Sequence, residues 1–395
     1  MHVVGRRERG GRDGSGSTGP AGRLGWFRAR DGSHGAPVGV DLDRPHAGLV
    51  VGKRGSGKSY TLGVLAEELA ATEGVVPVVL DPLDAFVGLE ECGFHTRKPR
   101  VRATALAPRA WCELLGLGPT APAGSLVWRA ASERDSLEGM RSFVGDADVT
   151  ASTARAARNH LDLAASWGVF GESGVDPSAL AVRPTRLSLS GLDPAPANAV
   201  VRAVLAGCHR ARLGGEFDRL PWLLVDEARA FVGGIAEPAV RRVLTRGRAP
   251  GTSLVLATQR PSALPEVAAS QADVVIAHRL SGRADREALE RVRPAAARVE
   301  PDRRPTGPGD ALLFDGAGES VHAVRVRERE TPHGGTSPRA GERAGSGGGQ
   351  PTSNGHGESV EPTTGAAGEC DRSTGTEAAH GEPTPPGTWE ETRGT

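Results

Sequence analysis

The chain has 395 residues, of which 48 are Lys or Arg and 48 are Asp or Glu, so its formal net charge is zero. A balanced charge gives no general argument for binding to nucleic acid or to a membrane surface. The sequence has no run of about 18 apolar residues, which excludes a transmembrane helix, and no apolar stretch follows the arginines near its start, as a secretory signal would require. We therefore expect a cytoplasmic protein. Its four cysteines lack the spacing of a metal site and should be reduced.

Both ends of the chain have compositions that disfavour a folded core. Residues 1–36 are rich in Gly, Arg and Ser and are basic, whereas residues 329–395 are rich in Gly, Ser, Thr, Pro and Glu and are more acidic. Such segments bury too little apolar surface to offset the entropy that ordering costs. The composition predicts two disordered tails around one folded domain at residues 37–328.

Within that domain, short apolar runs bounded by turn residues predict strands at 49–52, 75–80, 187–190, 223–225, 253–257 and 274–277. Helical patterns alternate with them at 59–71, 194–213 and 238–246, which indicates an α/β fold with a mainly parallel sheet. Residues 94–183 instead favour successive helices, at 108–117, 136–143 and 151–167, and we interpret them as a helical insertion. Residues 311–314 and 321–326 predict a closing hairpin.

One segment directly after the first predicted strand fits the pattern G-x-x-x-x-G-K-[ST] without a mismatch. Its residues are Gly52, Lys53, Arg54, Gly55, Ser56, Gly57, Lys58 and Ser59. A strand before it and a helix after it favour a phosphate-binding loop (P-loop) over an ordinary glycine-rich turn. In such a loop, backbone N–H groups surround the phosphates, Lys58 reaches the β- and γ-phosphates, and Ser59 binds Mg²⁺. We expect Gly52 through Tyr60 to contact the nucleotide.

Two further strands end in polar residues that suit the same chemistry. Asp226 and Glu227 follow the apolar run at 223–225, and this pattern is typical of a metal-binding aspartate and a glutamate that activates water. By itself the pattern also fits a strand that stops at an acidic turn. Gln259 follows the strand at 253–257, where an amide can contact the γ-phosphate, although a capped turn before Pro261 gives the same sequence.

The nucleotide is expected to be ATP rather than GTP. Guanine recognition in GTPases needs Asn-Lys-x-Asp, and none of the asparagines, at 159, 198 and 354, is followed by Lys. The glutamate next to the metal-binding aspartate suits an enzyme that hydrolyses ATP repeatedly. ATP and Mg²⁺ are therefore the predicted ligands.

The P-loop, the acidic pair and the segment ATQRPSAL at 257–264 occur in an order and at separations that resemble the HerA/FtsK superfamily of RecA-like ATPases, and most closely the HerA type. The turn at Asp81-Pro82, the segments 246–248, 273–280 and 324–327, and His333-Gly334-Gly335 also match. HerA proteins begin with a small β-barrel domain, which residues 1–36 do not predict.

The resemblance implies a ring-forming motor, usually hexameric, which couples ATP hydrolysis to the translocation or unwinding of DNA without sequence specificity, in some cases with a nuclease partner. It also implies an extra strand, at 253–257, between the P-loop strand and the acidic strand. An arginine from the neighbouring subunit should complete each site. Arg279 is the first candidate, because it follows a strand at the sheet edge where a ring interface would form, and Arg246 and Arg248 are the others. The alternative is a non-motor ATP-binding module that regulates a protein partner.

Overall fold

The computed structural model describes residues 1–6, 19–180, 182–216, 218–290 and 303–334. Most of the predicted C-terminal tail, from residue 335 on, lies outside the described residues, as do residues 7–18 of the predicted N-terminal tail. Among the described residues, no helix is both long and apolar enough to cross a bilayer.

A single sheet of twelve strands organises the fold, in the order β1-β3-β2-β12-β11-β10-β4-β9-β8-β5-β7-β6. The strands are β1 (His2–Val4), β2 (Ala21–Arg28), β3 (His34–Asp41), β4 (Ala47–Val51), β5 (Val75–Asp81), β6 (His95–Arg97), β7 (Thr185–Ser188), β8 (Leu220–Val225), β9 (Ser253–Thr258), β10 (Val274–Ala277), β11 (Asp310–Asp315) and β12 (Ser320–Val326). The seven strands from β10 to β6 in that order run parallel. Each of the six predicted strands overlaps an observed one, and the predicted hairpin is β11–β12.

Helices cover both faces of the sheet. They are α1 (Lys58–Ala70), α2 (Pro108–Leu114), α3 (Pro122–Glu133), α4 (Leu137–Gly145), α5 (Ala151–Ser166), α6 (Pro177–Leu180), α7 (Pro194–Leu213), α8 (Glu237–Arg246), α9 (Glu266–Gln271) and α10 (Arg283–Glu290). Strand side chains alternate between the faces, so Val50 joins the core under α1 while Leu49 and Val51 join the core under α7 and α8. A parallel sheet covered on both faces with a P-loop after a central strand is the RecA-like arrangement.

Helices α2 to α6 lie inside the range predicted as an insertion. Most of them share a separate apolar core around Trp111, Met140 and Leu161, all of which are fully buried. Ser136 and Thr150 cap α4 and α5 by accepting hydrogen bonds from backbone N–H groups of the first turn. The short strand β6 on the sheet edge was not predicted, because three residues give no periodic signal.

The prediction of disorder is wrong for parts of both tails. Residues 21–28 form β2, which pairs with β12 on one side and β3 on the other, and Leu24 is 2% exposed. These N-terminal strands add to the main sheet. Residues 329–334 also have defined positions, with Thr331 buried. The average composition of each tail concealed a few residues whose order depends in part on distant partners, since β2 pairs with β12 and Thr331 contacts Glu67.

Candidate active site

The carboxyl-terminal edge of three adjacent parallel strands brings the predicted site residues together. The P-loop follows β4, Gln259 follows β9, and Asp226 and Glu227 follow β8. Strand β9 lies between β4 and β8, which is the extra strand that the resemblance implied. Ligands bind at this edge in open α/β sheets, so the topology alone places these groups around one position.

The P-loop is held in shape by its own backbone and by the end of β10. The Lys53 N–H donates to the Arg279 carbonyl at 2.8 Å, and the Ser56 hydroxyl donates to the Lys53 carbonyl at 2.7 Å. Gly57 has φ of 108° where α1 begins, a conformation that side chains with a Cβ rarely adopt. At Gly52 a Cβ would lie 2.6 Å from the Cβ of His278, so this position also requires glycine.

Lys58 lies under this loop with 5% of its surface exposed, and its ammonium group donates to the Lys53 carbonyl at 3.3 Å. Burial lowers the pKa of Lys58, and the nearby carboxylates of Glu227 and Asp226 act in the opposite direction. A partly desolvated ammonium group of this kind interacts strongly with an anion that enters the loop.

Ser59 and Asp226 form the predicted metal-binding pair. The Ser59 hydroxyl donates to Asp226 Oδ2 at 2.8 Å, and the Asp226 side chain is fully buried. Burial raises the pKa of Asp226 to about 6, although hydrogen bonds from Ser59 and the Glu227 N–H oppose this shift. A buried carboxylate next to a hydroxyl provides the oxygen ligands that Mg²⁺ prefers, so the residues fit the ion. The described residues contain no cluster of three or more His, Cys, Asp or Glu that could bind a metal without the nucleotide.

Glu227 and Gln259 contact each other across the end of β9. The Gln259 amide Nε2 donates to Glu227 Oε1 at 2.7 Å. Glu227 has φ of 46°, in the left-handed region, which a glutamate adopts only where its surroundings impose it. Both side chains are half-buried, and Glu227 is therefore held in a fixed position beside Gln259 with access to solvent.

Arg279 has a different environment from the one predicted. Strand β10 lies inside the sheet, between β4 and β11, so Arg279 is next to its own P-loop and not at a lateral sheet edge. Its exposed guanidinium donates to the Thr306 carbonyl at 3.3 Å. Arg246 and Arg248 are exposed at and just after the end of α8, and Arg246 lies close to His209 of α7.

His278 supports the P-loop helix, and the sequence analysis assigned it no role. Burial lowers the pKa of His278 to about 4, so the ring is neutral at pH 7. Its Nδ1 lies 2.9 Å from the Asp310 carbonyl, which can only accept, and Nε2 therefore accepts the Thr61 hydroxyl at 2.8 Å. A histidine at the end of an otherwise apolar strand was the available signal.

Asp81, at the end of β5, and Arg186, within β7, form a second buried polar group. Arg186 Nε donates to Asp81 Oδ2 at 2.8 Å, and its guanidinium also contacts Asp84. Asp81 accepts the N–H groups of Ala85 and Phe86 as well. The Asp-Pro turn that matched the family pattern is therefore fixed by its own aspartate.

The chain is similar to several known proteins. A family model described as the central domain of helicase HerA matches residues 23–151. The structure is similar to VirB4 of Thermoanaerobacter pseudethanolicus, with 17% sequence identity over 80% of this chain and 98% of that one and a TM-score of 0.57. It is also similar to the bacterial conjugative coupling protein TrwBΔN70, with 15% identity over 75% of this chain and 88% of that one and a TM-score of 0.52.

A more distant likeness is to the genome packaging NTPase B204 from Sulfolobus turreted icosahedral virus 2, in complex with AMP, with 13% identity over 70% of this chain and 96% of that one and a TM-score of 0.40. No curated protein matches the sequence. The likenesses to VirB4 and TrwBΔN70 show the shared fold.

Proposed function

We propose that this chain is an ATPase of the HerA/FtsK type, which binds ATP with Mg²⁺ and hydrolyses it to translocate or unwind DNA. The match of the HerA central-domain model to residues 23–151 and the fold shared with VirB4 and TrwBΔN70 support this proposal. Two hydrogen bonds give the main support for ATP hydrolysis. Ser59 contacts Asp226 and Gln259 contacts Glu227, and both contacts lie at one sheet edge next to the P-loop. A P-loop that only held a nucleotide would not need the second pair.

Each residue has a defined part in the hydrolysis. The P-loop N–H groups and Lys58 bind the β- and γ-phosphates, and Lys58 must release the Lys53 carbonyl to do so. Glu227 accepts a proton from the water whose oxygen bonds to the γ-phosphorus as the bond to the ADP oxygen breaks. Gln259 holds the Glu227 carboxylate and is positioned to contact the γ-phosphate. Ser59 and Asp226 would hold Mg²⁺, which offsets the negative charge of the phosphates.

A basic segment supports the DNA part of the proposal. Arg97, Lys98, Arg100 and Arg102 lie within six residues, where the chain leaves β6 for the helical region. The backbone there is fixed, because the N–H of Val101 donates to the Val169 carbonyl at 2.8 Å and Val101 is 1% exposed. Arg100 and Arg102 flank it with exposed side chains.

Within the described ranges, no ion pair joins these four cations to a carboxylate. Strand β6 is parallel to the strands of the active site, so the segment leaves the sheet at the same edge as the P-loop. Unpaired cations on a rigid backbone suit contact with DNA phosphates, and such contacts carry no sequence information.

The test is ATP hydrolysis measured with and without double-stranded DNA over a range of salt concentrations. We expect stimulation by DNA, and the double variant Arg100→Gln/Arg102→Gln should bind DNA more weakly, with a salt slope smaller by about 2. The control is Arg155→Gln/Arg158→Gln, which removes the same charge from exposed positions on α5. Hydrolysis that DNA never stimulates would favour the non-motor module that regulates a protein partner.

We also propose that the active site is shared between subunits of a homo-oligomeric ring, of which a hexamer is the expected form. Arg279 is the first candidate to contact the γ-phosphate of a neighbouring subunit, because its guanidinium is exposed and makes a long hydrogen bond, of 3.3 Å, to the Thr306 carbonyl. Arg246 and Arg248 are the other candidates. An arginine in that role contributes about 10³–10⁵ in rate. Mixing Arg279→Ala with Lys58→Ala subunits should restore activity that neither variant has alone, and a failure to restore it would argue against Arg279.

A further inference from the structure

The segment that follows β12 lies across the P-loop helix, and residues 327–334 are called the strap here. Strand β12 is antiparallel to β11, which is antiparallel to β10, so β12 ends at the same sheet edge as the P-loop. The strap crosses α1, and at its far end Gly334 lies beside the Asp84 carbonyl after β5. It contacts α1 along one stripe formed by Tyr60, Gly63 and Glu67.

Glu67 is the centre of this contact. The residue is 4% exposed, and its Oε1 accepts the Glu330 N–H at 3.1 Å, the Thr331 N–H at 3.0 Å and the Thr331 hydroxyl at 2.7 Å. The Arg327 guanidinium lies 2.8 Å from Oε2. A buried carboxylate needs such partners, and within the described residues all of these come from the strap.

Arg329 fills the space between Glu67 and the first turn of the helix. A Cβ at Gly63 would lie 2.6 Å from the guanidinium carbon of Arg329, so glycine is required there for the arginine to fit. The guanidinium also lies over the ring of Phe86 and 3.5 Å from Glu67. The strap is thus packed into α1 and is not a loose surface segment.

The strap reaches the nucleotide site through Tyr60. The Tyr60 hydroxyl accepts the Arg329 N–H at 2.6 Å, and the His333 ring packs against the Tyr60 ring with centroids 5.7 Å apart. Tyr60 directly follows Ser59, in the same helical turn as Lys58. A shift of the strap would therefore move the turn that carries both phosphate- and metal-binding side chains.

We propose that docking of the strap on Tyr60, Gly63 and Glu67 is thermodynamically coupled to nucleotide binding in the P-loop, with Glu67 as a positioning residue for the first turn of α1. This inference rests on the proposed ATP binding. Coupling of this kind is reciprocal: a docked strap increases nucleotide affinity, and a bound nucleotide holds the strap in place by the same factor.

Hydrogen exchange of the full chain with and without ATPγS and Mg²⁺ tests the coupling directly. Nucleotide should slow exchange of the amides of Arg329, Glu330 and Thr331 by about tenfold, as a coupling of typical size predicts. Lys58→Ala should show no such change. A strap with a merely structural role would exchange at the same rate in both states, and that result, with ATPγS bound, would overturn the coupling but leave the proposed ATPase intact. If the wild-type chain does not bind ATPγS, both proposals fail.

The reverse direction is tested by nucleotide affinity. Glu67→Gln and Thr331→Val should each weaken ATPγS binding by about fivefold to tenfold. Glu73→Gln is the matched control, because Glu73 is exposed just beyond the end of α1. If Glu67→Gln folds and binds ATPγS as tightly as Glu73→Gln, Glu67 is not a positioning residue. Should Glu67→Gln not fold, Thr331→Val and the exchange measurement decide the question.

Discussion

The candidate active-site edge and the helical region of this chain differ in which side chains they bury. At the edge, Asp226 and Lys58 are buried, and each ionisable group is held by a neighbour. In the helical region the buried side chains are apolar, as around Trp111 and Met140, and its charged residues face solvent.

This difference indicates that the buried polar residues of the edge serve ligand binding, whereas the apolar residues of the helical region stabilise the fold. A buried charge costs free energy that a bound ligand can recover, whereas an apolar core lowers the free energy of folding whether or not a ligand is present. Replacing the polar residues of the edge should therefore change function more than stability, and replacing core residues of the helical region should do the reverse.

The largest functional effect is expected from Lys58→Ala. Lys58 is the only lysine at the phosphate-contacting position of the loop, since Lys53 lies too early in it. The variant should lose tight ATP binding while its secondary structure is retained, as measured by calorimetric titration and circular dichroism. A variant that binds and hydrolyses ATP at wild-type rates would contradict the P-loop assignment.

Glu227→Gln should separate binding from hydrolysis. The amide cannot accept the proton of the attacking water, so we expect hydrolysis to fall by about 10²–10⁴-fold with ATP still bound. Phosphate release and nucleotide affinity measure the two effects separately. Loss of binding with normal turnover per bound ATP would instead make Glu227 a structural residue.

Trp111→Ala tests whether the core of the helical region affects stability more than nucleotide binding. Trp111 is fully buried, and its indole N–H donates to the Ala103 carbonyl at 3.1 Å. Truncation should reduce the free energy of unfolding by about 3–5 kcal/mol. ATP affinity should not change at temperatures where the variant is folded. A large loss of affinity under those conditions would show that the helical region also shapes the nucleotide site.

Asp226→Asn should produce the smallest change in the free energy of unfolding, measured without nucleotide, and the size of this change depends on pH. The pKa of Asp226 is raised to about 6 in the folded protein, so the folded state favours the protonated form. Its ionisation therefore destabilises the nucleotide-free protein increasingly as pH rises from about 4 to 6, and the full penalty remains at pH 8.

The variant removes this penalty. Thermal unfolding without nucleotide should show Asp226→Asn to be more stable than wild type by about 1–3 kcal/mol at pH 8, with almost no difference at pH 4. Equal stability at both pH values would show that the carboxylate is well solvated. With ATP and Mg²⁺ present, the wild type should gain more stability than the variant.

The sequence predicted which residues meet at this sheet edge, because the signals for them are local. Lys58 and Ser59 lie within one loop, and Asp226 and Glu227 end one apolar run, so each motif could be recognised without knowledge of its partners. The parallel topology then brings the ends of these strands together. The specific contacts of Gln259 with Glu227 and of Ser59 with Asp226 needed the structure, because they join residues 32 and 167 positions apart.

The sequence analysis did not predict ordered structure where that order depends on residues distant in the chain. The residues of β2 and of the strap have tail-like compositions, and their order depends on contacts with β12 and Glu67 respectively, which are distant in the sequence. Arg279 was assigned to a sheet edge because nothing in the local sequence shows that β11 and β12 continue the sheet beyond β10. Periodicity reports which face of a strand is apolar but not which strand lies next to it.

The sheet order also has a consequence for how the chain is synthesised. Strand β4, which carries the P-loop, pairs with β9 and β10, and both follow it by more than 200 residues. While the ribosome is adding the residues between them, the apolar strand that carries the P-loop has neither of its neighbours. The P-loop therefore takes its final shape only after about residue 279 has left the ribosome, when the Arg279 carbonyl can accept the Lys53 N–H. Until then β4 is an unpaired apolar strand of the type that aggregates, and chaperone binding to the nascent chain should be strongest during this interval.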